Sequence, residues 1–407
     1  MEKNNKTLNV PPLRFPEFTG EWETYRLGEL VEIKSGVSPT GIIDENGIFP
    51  FYKVEQLNNC YIELDETPYR TMQSAVPAHS IIFPKRGAAI MTNKIRIASK
   101  ACQLDTNLMA LLLKNNENVD YKFLFYFIAR YNLSKIADAS TIPQINNIHI
   151  SPIKITLPSI HEQRKISKLL TILDTKIETQ KKIIEDLKKL KAAIAEKLFC
   201  GPYDEAPELR VANSSASWNL YRLKDVCQRI SERNSQESSS LVLTIAAQYG
   251  LVSQTDFFNK SVASENLSNY YLIQKGDFAY NKSYSGEYPW GAVKRLELYE
   301  TGVLSPLYIC FKPNPLIVDS DFLSHYFETH KWHNGIAQIA GEGARNHGLL
   351  NVSISDYFAT LHRLPGLPEQ KKIASYLNLL SDIISLANKE LKCYSRQKQY
   401  LLARMFI

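Results

Sequence analysis

Basic and amide side chains collect at loop positions in two separate parts of this chain, and their chemistry suits binding to nucleic acid. Arginine and lysine bind phosphates or guanine edges, and asparagine or glutamine can pair with adenine through two hydrogen bonds. The alternative for each residue is an ordinary solvated loop position. The candidate DNA-binding residues are Lys85, Arg86, Lys94, Arg96, Gln144 and Asn146 in the first part, and Lys282, Lys294, Arg295, Arg345 and Asn346 in the second.

The sequence lacks the motifs of several enzyme classes. It has no G-x-x-x-x-G-K-[ST] phosphate-binding loop, no Asn-Pro-Pro-aromatic tetrapeptide of an amino-methyltransferase and no G-x-S-x-G nucleophile elbow. His325, His330 and His333 fall in one helical stretch, but no cysteine or acidic third ligand has suitable spacing for a metal. We therefore expect a protein without catalytic activity, metal site or cofactor of its own.

Composition indicates an ordinary folded protein with a mild basic excess. The chain has 407 residues, 44% of them hydrophobic and 22% charged, and its formal net charge is +6. This length allows two domains, each with a core of its own. The six cysteines form no C-x-x-C pair, and the longest apolar runs are too short to span a bilayer. We expect a soluble cytoplasmic protein with free thiols and no membrane association.

Two distant stretches of the chain are copies of each other. Leu157–Phe199 and Leu364–Phe406 share Leu-Pro, Glu-Gln, Lys-Ile, a leucine series and a closing phenylalanine, at a constant offset of 207 residues (364 − 157). Upstream, Trp22 and its neighbours recur around Trp218 at an offset of 196 (218 − 22). The chain is therefore built from two equivalent halves with divergent middles.

Each half ends in a long amphipathic helix. Apolar residues alternate at spacings of three and four, which predicts a heptad seam. Lys191 and Lys398 occupy equivalent positions within the seam, as residues that fix register or partner choice do. The predicted seam consists of Ile166, Leu170, Leu173, Ile177, Ile184 and Leu187 in the first helix, and Ile373, Leu377, Leu380, Ile384, Leu391 and Leu401 in the second.

The seam predicts that the two helices pack on each other. A helix from Ile166 to Leu198 would be roughly 50 Å long at about 1.5 Å per residue. If the two run antiparallel, they hold the preceding bodies a fixed distance apart. The alternative is a coiled coil that only dimerises the chain. Glu162 and Glu369 are expected in the first turns, where the helix dipole favours acidic side chains.

The segments that precede these helices have the pattern of α+β domains. Short strand-like runs are separated by turns, and each body contains one helical stretch, Tyr121 to Arg130 in the first and about Asp321 to His333 in the second. A stretch rich in Pro, Ser and Asn, from Cys200 to Ser217, indicates a linker.

The combined pattern resembles the specificity subunit of type I restriction-modification systems. The resemblance is carried by PPLRFPEFTGEWETYRLGEL at Pro11 to Leu30, by the Leu-Pro-x-x-x-Glu-Gln-x-Lys-Ile openings at Leu157 and Leu364, by the seam helices, and by the approaches TIPQINNIHISPIKITLP and ARNHGLLNVSISDYFATLHRLP. Pro368 stands where the first copy has His161, which makes the two helical faces unequal.

The resemblance implies two target-recognition domains separated by two long antiparallel coiled-coil helices, with an internal pseudo-twofold repeat. It implies an N-terminal arm at 1–21, recognition domains at 22–156 and 218–363, spacer helices at 157–199 and 364–407, and a linker at 200–217. The expected function is recognition of a bipartite, asymmetric sequence in double-stranded DNA. The expected partners are two adenine-methyltransferase subunits and, through the complex, two restriction and translocase subunits.

Two other functions remain open from the residues themselves. One is a coiled-coil scaffold without DNA, whose bodies bind peptides or glycans. The other is a self-sufficient nuclease or methylase, which would need a catalytic motif that the sequence lacks.

Overall fold

The computed structural model describes residues 9–58, 62–64, 66–115, 117–138, 141–211, 217–246, 249–258, 266–284, 286, 288–340 and 348–407. The chain divides into two units. The first comprises Met1–Ile183 together with Ala387–Ile407, and the second comprises Ile184–Leu386. The first unit is therefore assembled from both ends of the chain.

Among its described residues, the first unit contains nine short strands, three short α-helices, the start of the long helix α4 and the end of the last long helix. Three 3₁₀ turns lie at Val54–Asn58, Ala88–Thr92 and Leu133–Ile136. The elements are β1 (Glu23–Arg26), α1 (Leu27–Leu30), β2 (Val31–Ser35), β3 (Phe49–Tyr52), β4 (Arg70–Thr71), β5 (Ile81–Pro84), β6 (Arg96–Ile97), β7 (Gln103–Leu104), β8 (Leu108–Leu113), α2 (Tyr121–Tyr131), α3 (Asn147–Ile150), β9 (Lys154–Leu157) and α4 (Ile160–Leu198).

The main sheet of the first unit has the strand order β2-β8-β5-β6, and all three pairings are antiparallel. Every residue of β5 is buried, as an apolar strand between two partners is expected to be. β1 pairs antiparallel with β9, so that Glu23 lies opposite Leu157. This pairing ties the start of the domain to the start of the long helix.

The second unit repeats this arrangement. Its main sheet has the order β11-β18-β15-β16, again antiparallel, and β10 pairs with β19. The elements are β10 (Asn219–Arg222), α5 (Leu223–Val226), β11 (Cys227–Arg229), β12 (Leu243–Ala246), β13 (Gly250–Ser253), α6 (Gln254–Phe258), β14 (Tyr271–Gln274), β15 (Phe278–Asn281), β16 (Ala292–Arg295), β17 (Thr301–Leu304), β18 (Ile309–Pro313), α7 (Ser320–Tyr326), α8 (His333–Ile339), α9 (Ile354–Ala359), β19 (Leu361–Leu364) and α10 (Leu367–Arg404). The predicted α+β fold with an internal repeat is confirmed.

In the first unit, the start of α4 packs against the end of α10. Lys398 donates from Nζ to Oδ1 of Asp174 at 2.5 Å, and Gln180 donates from Nε2 to the carbonyl of Ala387 at 3.1 Å. Residue numbers rise along one helix as they fall along the other, so the two segments are antiparallel.

The second unit contains the complementary halves of the same helices. Lys191 donates from Nζ to Oγ of Ser381 at 2.6 Å. Leu198 shares a hydrophobic core with Ile373 and Leu377, so this pair is antiparallel as well. The 207-residue repeat relates the two polar contacts, because it maps Lys191 onto Lys398 and Asp174 onto Ser381. The recurring seam lysine therefore has an ionised partner in one unit and a neutral partner in the other.

The proposed seam residues differ in burial along the two helices. Most of the buried ones lie in the N-terminal half of each helix, where Ile166, Leu170, Ile373 and Leu377 belong to a domain core. The buried residues are Ile166, Leu170, Leu173, Ile177, Ile184, Ile373 and Leu377, and the half-buried ones are Leu187, Leu380, Ile384, Leu391 and Leu401.

The first long helix begins six residues before the position from which its seam was read (166 − 160). Ile160–Leu198 is helical, and Oγ of Ser159 accepts a hydrogen bond from the backbone N–H of Glu162 at 3.4 Å. The extra turn carries polar residues and no seam position, so apolar periodicity could not detect it. Glu162 and Glu369 do lie in the first turns of their helices, as expected.

Both residues of the Glu-Gln motif, Glu162 and Gln163, form hydrogen bonds that connect the start of α4 to the rest of the first unit. The carboxylate of Glu162 is fully buried and accepts two hydrogen bonds from Arg14, at 2.7 and 2.8 Å. The side chain of Gln163 accepts from the backbone N–H of Asp120 at 3.0 Å and donates to the carbonyl of Pro158 at 2.8 Å. Since Asp120 caps α2, the motif connects three elements.

The second copy makes the same connections in its own unit. Glu369 accepts from Nη2 of Arg210 at 3.2 Å and from Nε1 of Trp218 at 3.4 Å. Gln370 accepts from the backbone N–H of Asp319, the cap of α7, at 2.8 Å, and donates to the carbonyl of Pro365, also at 2.8 Å. The shared sequence flanks thus encode the joint between each helix and its domain.

The closing phenylalanine of each repeat fills a domain core. Phe406 stacks on Phe123 with ring centroids 4.8 Å apart in the first unit. Phe199 lies 4.9 Å from Phe322 in the second unit. Each long helix therefore starts against one domain and ends in the core of the other unit's domain.

The helix expected at about Asp321 to His333 is interrupted, which corrects the sequence prediction. α7 ends at Tyr326 and α8 begins at His333. The side chains of Thr329 and Trp332 donate to the carbonyls of Tyr326 and Phe327, at 2.7 and 3.1 Å, and so end the first helix.

The segment expected as a linker is partly packed in the second unit. Cys200 is buried, and Oδ2 of Asp204 accepts from the backbone N–H of Gly201 at 2.6 Å; residues 212–216 lie outside the described part. Within the described ranges, no group of three or more His, Cys, Asp or Glu side chains could hold a metal ion. No helix in that part of the chain is both long and apolar enough to cross a membrane.

Candidate functional site

A loop that follows β5 forms one short bridge with a distant segment in the first unit. Arg86 lies opposite Gln144 in an isolated antiparallel bridge, and the residues on either side form two backbone hydrogen bonds, each of 2.9 Å. Gly87, with φ of 74°, then turns the chain away from the bridge. The bridge explains how two predicted DNA-binding positions 58 residues apart (144 − 86) come together.

The second unit has the same bridge at the corresponding place after β15. Ser283 lies opposite Leu349, and the flanking residues form backbone hydrogen bonds of 2.9 and 3.1 Å in the same pattern. Lys282 therefore corresponds to Lys85, and Ser283 to Arg86.

In both bridges the facing residues form a non-hydrogen-bonded antiparallel pair. Such pairs bring their Cα atoms to about 4.5 Å, and their side chains lie next to each other on the same face. The residue after each pair, Ile145 or Leu350, is buried, so the pair itself faces away from the core. Each unit thus presents two adjacent side chains at one loop.

The first loop combines a free cation with amide side chains. Arg86 is exposed and makes no ion pair with any described residue. Lys85 is half-buried; burial lowers its pKa, and the neighbouring charge of Arg86 lowers it further. The backbone N–H of Asn146 donates to Nδ1 of His149 at 3.2 Å, and its own side chain is exposed. A bound phosphate would relieve the repulsion between the two cations.

Two other candidates in the first unit are held by neighbours. Lys94 donates from Nζ to Oδ1 of Asn58. Arg96 is half-buried in β6 and donates from Nη1 to the carbonyl of Ile95 at 2.8 Å. Neither side chain belongs to the Arg86–Gln144 bridge.

Two candidates of the second unit, Lys294 and Arg295, are engaged by carboxylates. Lys294 is 11% exposed and donates to Glu328 at 2.5 Å, and Arg295 donates to Asp321 at 2.6 Å and to Glu297 at 2.9 Å. Burial works against the Arg295 charge, but the hydrogen bonds with its acidic partners outweigh this and raise its pKa. These two residues are therefore weaker candidates than the sequence suggested, because their charges are already compensated.

The remaining second-unit candidates differ in how far the structure describes them. Lys282 is half-buried and makes no ion pair among the described residues. Arg345 and Asn346 lie outside the described part of the chain. Sequence analysis missed Ser283 and Leu349, because neither residue type is basic or amide-bearing and only the bridge identifies them.

Several known proteins are similar to this chain. The profile of the type I restriction modification DNA specificity domain matches residues 19–189. A type I restriction enzyme MjaVIII specificity subunit from Methanocaldococcus jannaschii is 25% identical to this chain, over 98% of the chain and 94% of that protein.

The chain resembles type I specificity subunits.

Other known proteins give the same resemblance. The EcoDI specificity subunit of Escherichia coli is 26% identical over 42% of this chain and 35% of its own length. The crystal structure of the type I restriction-modification S subunit from M. genitalium has the same fold, with a TM-score of 0.58 at 16% identity, covering 98% of this chain and 99% of that one. The relatives over both longer and shorter alignments are thus named as specificity subunits.

Proposed function

We propose that this chain is a type I specificity subunit and that it recognises one bipartite, asymmetric sequence in double-stranded DNA. Residues 22–156 form the first recognition domain and residues 218–363 the second, and each reads one half of the target. The spacer segments 157–199 and 364–407 set the distance between the half-sites, with 1–21 as an N-terminal arm and 200–217 as a linker. The observation that carries the proposal is the pair of equivalent loops, because the same backbone presents different side chains in the two domains.

The difference between the loops supports an asymmetric target. Arg86 and Gln144 in the first domain are replaced by Ser283 and Leu349 in the second. Two domains with the same frame and the same side chains would read the same half-site twice. Lys85 and Lys282 recur in both loops, as expected for contacts to a backbone phosphate that carries no sequence information.

The subunit docks two adenine-methyltransferase subunits, through which two restriction and translocase subunits join the complex. Support comes from α10, where Tyr376, Leu379 and Leu386 are 56%, 58% and 62% exposed within one unit. Large apolar side chains exposed in a row are common where another protein binds.

Methylome sequencing tests the proposal directly. Cells that express this chain together with the methyltransferase encoded beside it should acquire adenine methylation at one split, non-palindromic sequence. Cells that express the methyltransferase alone provide the matched control and should show no such motif. Methylation that ignores sequence, or a motif that persists without this chain, would contradict the proposal.

Binding to duplex DNA provides an independent test. The purified complex should retard duplex DNA with an affinity that falls as salt rises, because phosphate contacts release counterions. A complex that leaves duplex DNA unbound at low salt would favour a scaffold whose domains bind peptides or glycans.

A further inference from the structure

The two bridges occupy equivalent positions but differ in the chemistry of both facing residues. In the first domain the pair is Arg86 with Gln144, and in the second it is Ser283 with Leu349. The backbone hydrogen bonds that flank the two pairs follow the same pattern, with lengths between 2.9 and 3.1 Å. The difference therefore lies in the side chains and not in how the backbone holds them.

Position and exposure suit these pairs for contact with a ligand. Arg86 and Ser283 are exposed, Leu349 is 37% exposed, and Gln144 is half-buried. No hydrogen bond engages the guanidinium of Arg86 or the amide of Gln144 among the described residues. A buried residue follows each pair and anchors it, so the two side chains stay at a defined place on the surface.

The chemistry of each pair selects different base edges. Arginine binds O6 and N7 of guanine with two hydrogen bonds, and glutamine binds N6 and N7 of adenine in the same way. Leucine has no polar atom and can contact the methyl group of thymine, while serine accepts from or donates to several bases. The pair of the first domain therefore suits purines. The equivalent pair of the second domain suits thymine at one position and accepts several bases at the neighbouring position.

Resting on the proposed DNA recognition, we infer that these two facing pairs are the base-selecting positions of the two domains. Arg86 and Gln144 select guanine and adenine in one half-site. Leu349 selects thymine in the other half-site, with Ser283 making a less selective contact. Lys85 and Lys282, which precede the pairs in both loops, bind phosphates and contribute affinity without selecting bases.

A selection experiment with the full-length chain and its methyltransferase subunit tests the inference. The complex is incubated with a pool of random duplex DNA, and the bound fraction is sequenced. The double variant Arg86→Ser with Gln144→Leu gives the first bridge the side chains of the second. Its preference for purines should fall roughly 5- to 150-fold at the affected positions of one half-site, with the other half-site unchanged.

Two further variants separate base selection from folding and from general affinity. Arg86→Lys keeps the positive charge but removes the guanidinium group, which donates two parallel hydrogen bonds. The variant should therefore relax the preference for guanine with little change in binding to random DNA. Lys85→Ala should weaken binding to all sequences alike and leave the selected motif intact. Melting temperatures of all variants should stay close to that of the original protein, because Arg86 is exposed and the half-buried Lys85 and Gln144 lie outside the hydrophobic cores.

The possible results distinguish the inference from the function on which it rests. If the unaltered complex selects no sequence, DNA recognition itself fails. If it selects a bipartite motif that the double variant leaves unchanged, or changes in both halves, the assignment of the bridges is wrong while DNA recognition stands. A loss of purine preference in Lys85→Ala equal to that in Arg86→Lys would also overturn the assignment.

Discussion

Replacing Lys398 with methionine is expected to destabilise the first unit by about 3 kcal/mol. The carboxylate of Asp174 is fully buried, and Lys398 supplies its positive partner at 2.5 Å. Removal of one member of a buried ion pair costs about 3–5 kcal/mol, because the other charge stays in the interior. Tyr126 still donates to Asp174 at 2.7 Å, which places the expected loss at the lower end of that range.

The repeat supplies a matched control at the equivalent position of the other unit. Lys191 donates to the neutral hydroxyl of Ser381, so Lys191→Met removes a single hydrogen bond and should cost about 1 kcal/mol. Burial also lowers the pKa of Lys191, so replacing its charged group relieves part of a desolvation cost. The variant Asp174→Ser, which copies the contact of the second unit, should likewise be milder than Lys398→Met.

Native-state hydrogen exchange, followed by mass spectrometry on the full chain, measures both losses locally. Relative to the unaltered chain, each substitution should increase local opening. The increase for peptides around Asp174 in Lys398→Met should be roughly 30 times the increase for peptides around Ser381 in Lys191→Met, which corresponds to a difference of about 2 kcal/mol. Opening that rises equally in the two lysine variants would refute the reasoning, since the ionised and neutral partners would then be energetically equivalent.

Three further outcomes are expected. Phe406→Ala should destabilise the first unit by about 3–5 kcal/mol, since the ring is buried against Phe123; exchange in the second unit should stay unchanged. Lys85→Ala should reduce the slope of log affinity against log salt by about 0.9, and an unchanged slope would remove this residue from the phosphate contacts. Burial lowers the pKa of His362 to about 4, below its unfolded value near 6.5, so its contribution to stability is complete above about pH 6.5 and is lost as the pH falls toward 4. The exchange of second-unit peptides between pH 4 and 7 should therefore depend less on pH in His362→Gln.

The sequence predicts the repeat, the long helices and the α+β class well, because each depends on local periodicity or on internal similarity. Periodicity could not find the start of α4, whose first turn is polar, or the break after Tyr326, where side chains of Thr329 and Trp332 end the helix. The same reason explains why the start of α4 and the break after Tyr326 were not predicted. A capping contact depends on one side chain, whereas the apolar periodicity that indicates a helix is averaged over many residues.

The candidate site was only partly predictable for a different reason. Basic loop residues are visible in a sequence, but their partners across the fold are not, and the sequence therefore gave Lys294 and Arg295 the same weight as Arg86. Their carboxylate partners include Glu328 and Asp321, which lie 26 or more residues away. The equivalence of Ser283 with Arg86 was hidden because insertions change the offset between the two halves, whereas strand pairing reveals it directly.

The exchange of helix ends determines the order in which this protein can fold during synthesis. The core of the first unit includes Met405 and Phe406, and the backbone N–H of Leu13 donates to the carbonyl of Arg404 at 2.9 Å. Because Met405 and Phe406 belong to that core, we expect the first unit to be completed only after these residues have left the ribosome, whereas the contiguous unit Ile184–Leu386 can be completed sooner. A message truncated before the codons for Met405 and Phe406 is therefore expected to leave the core of the first unit incomplete.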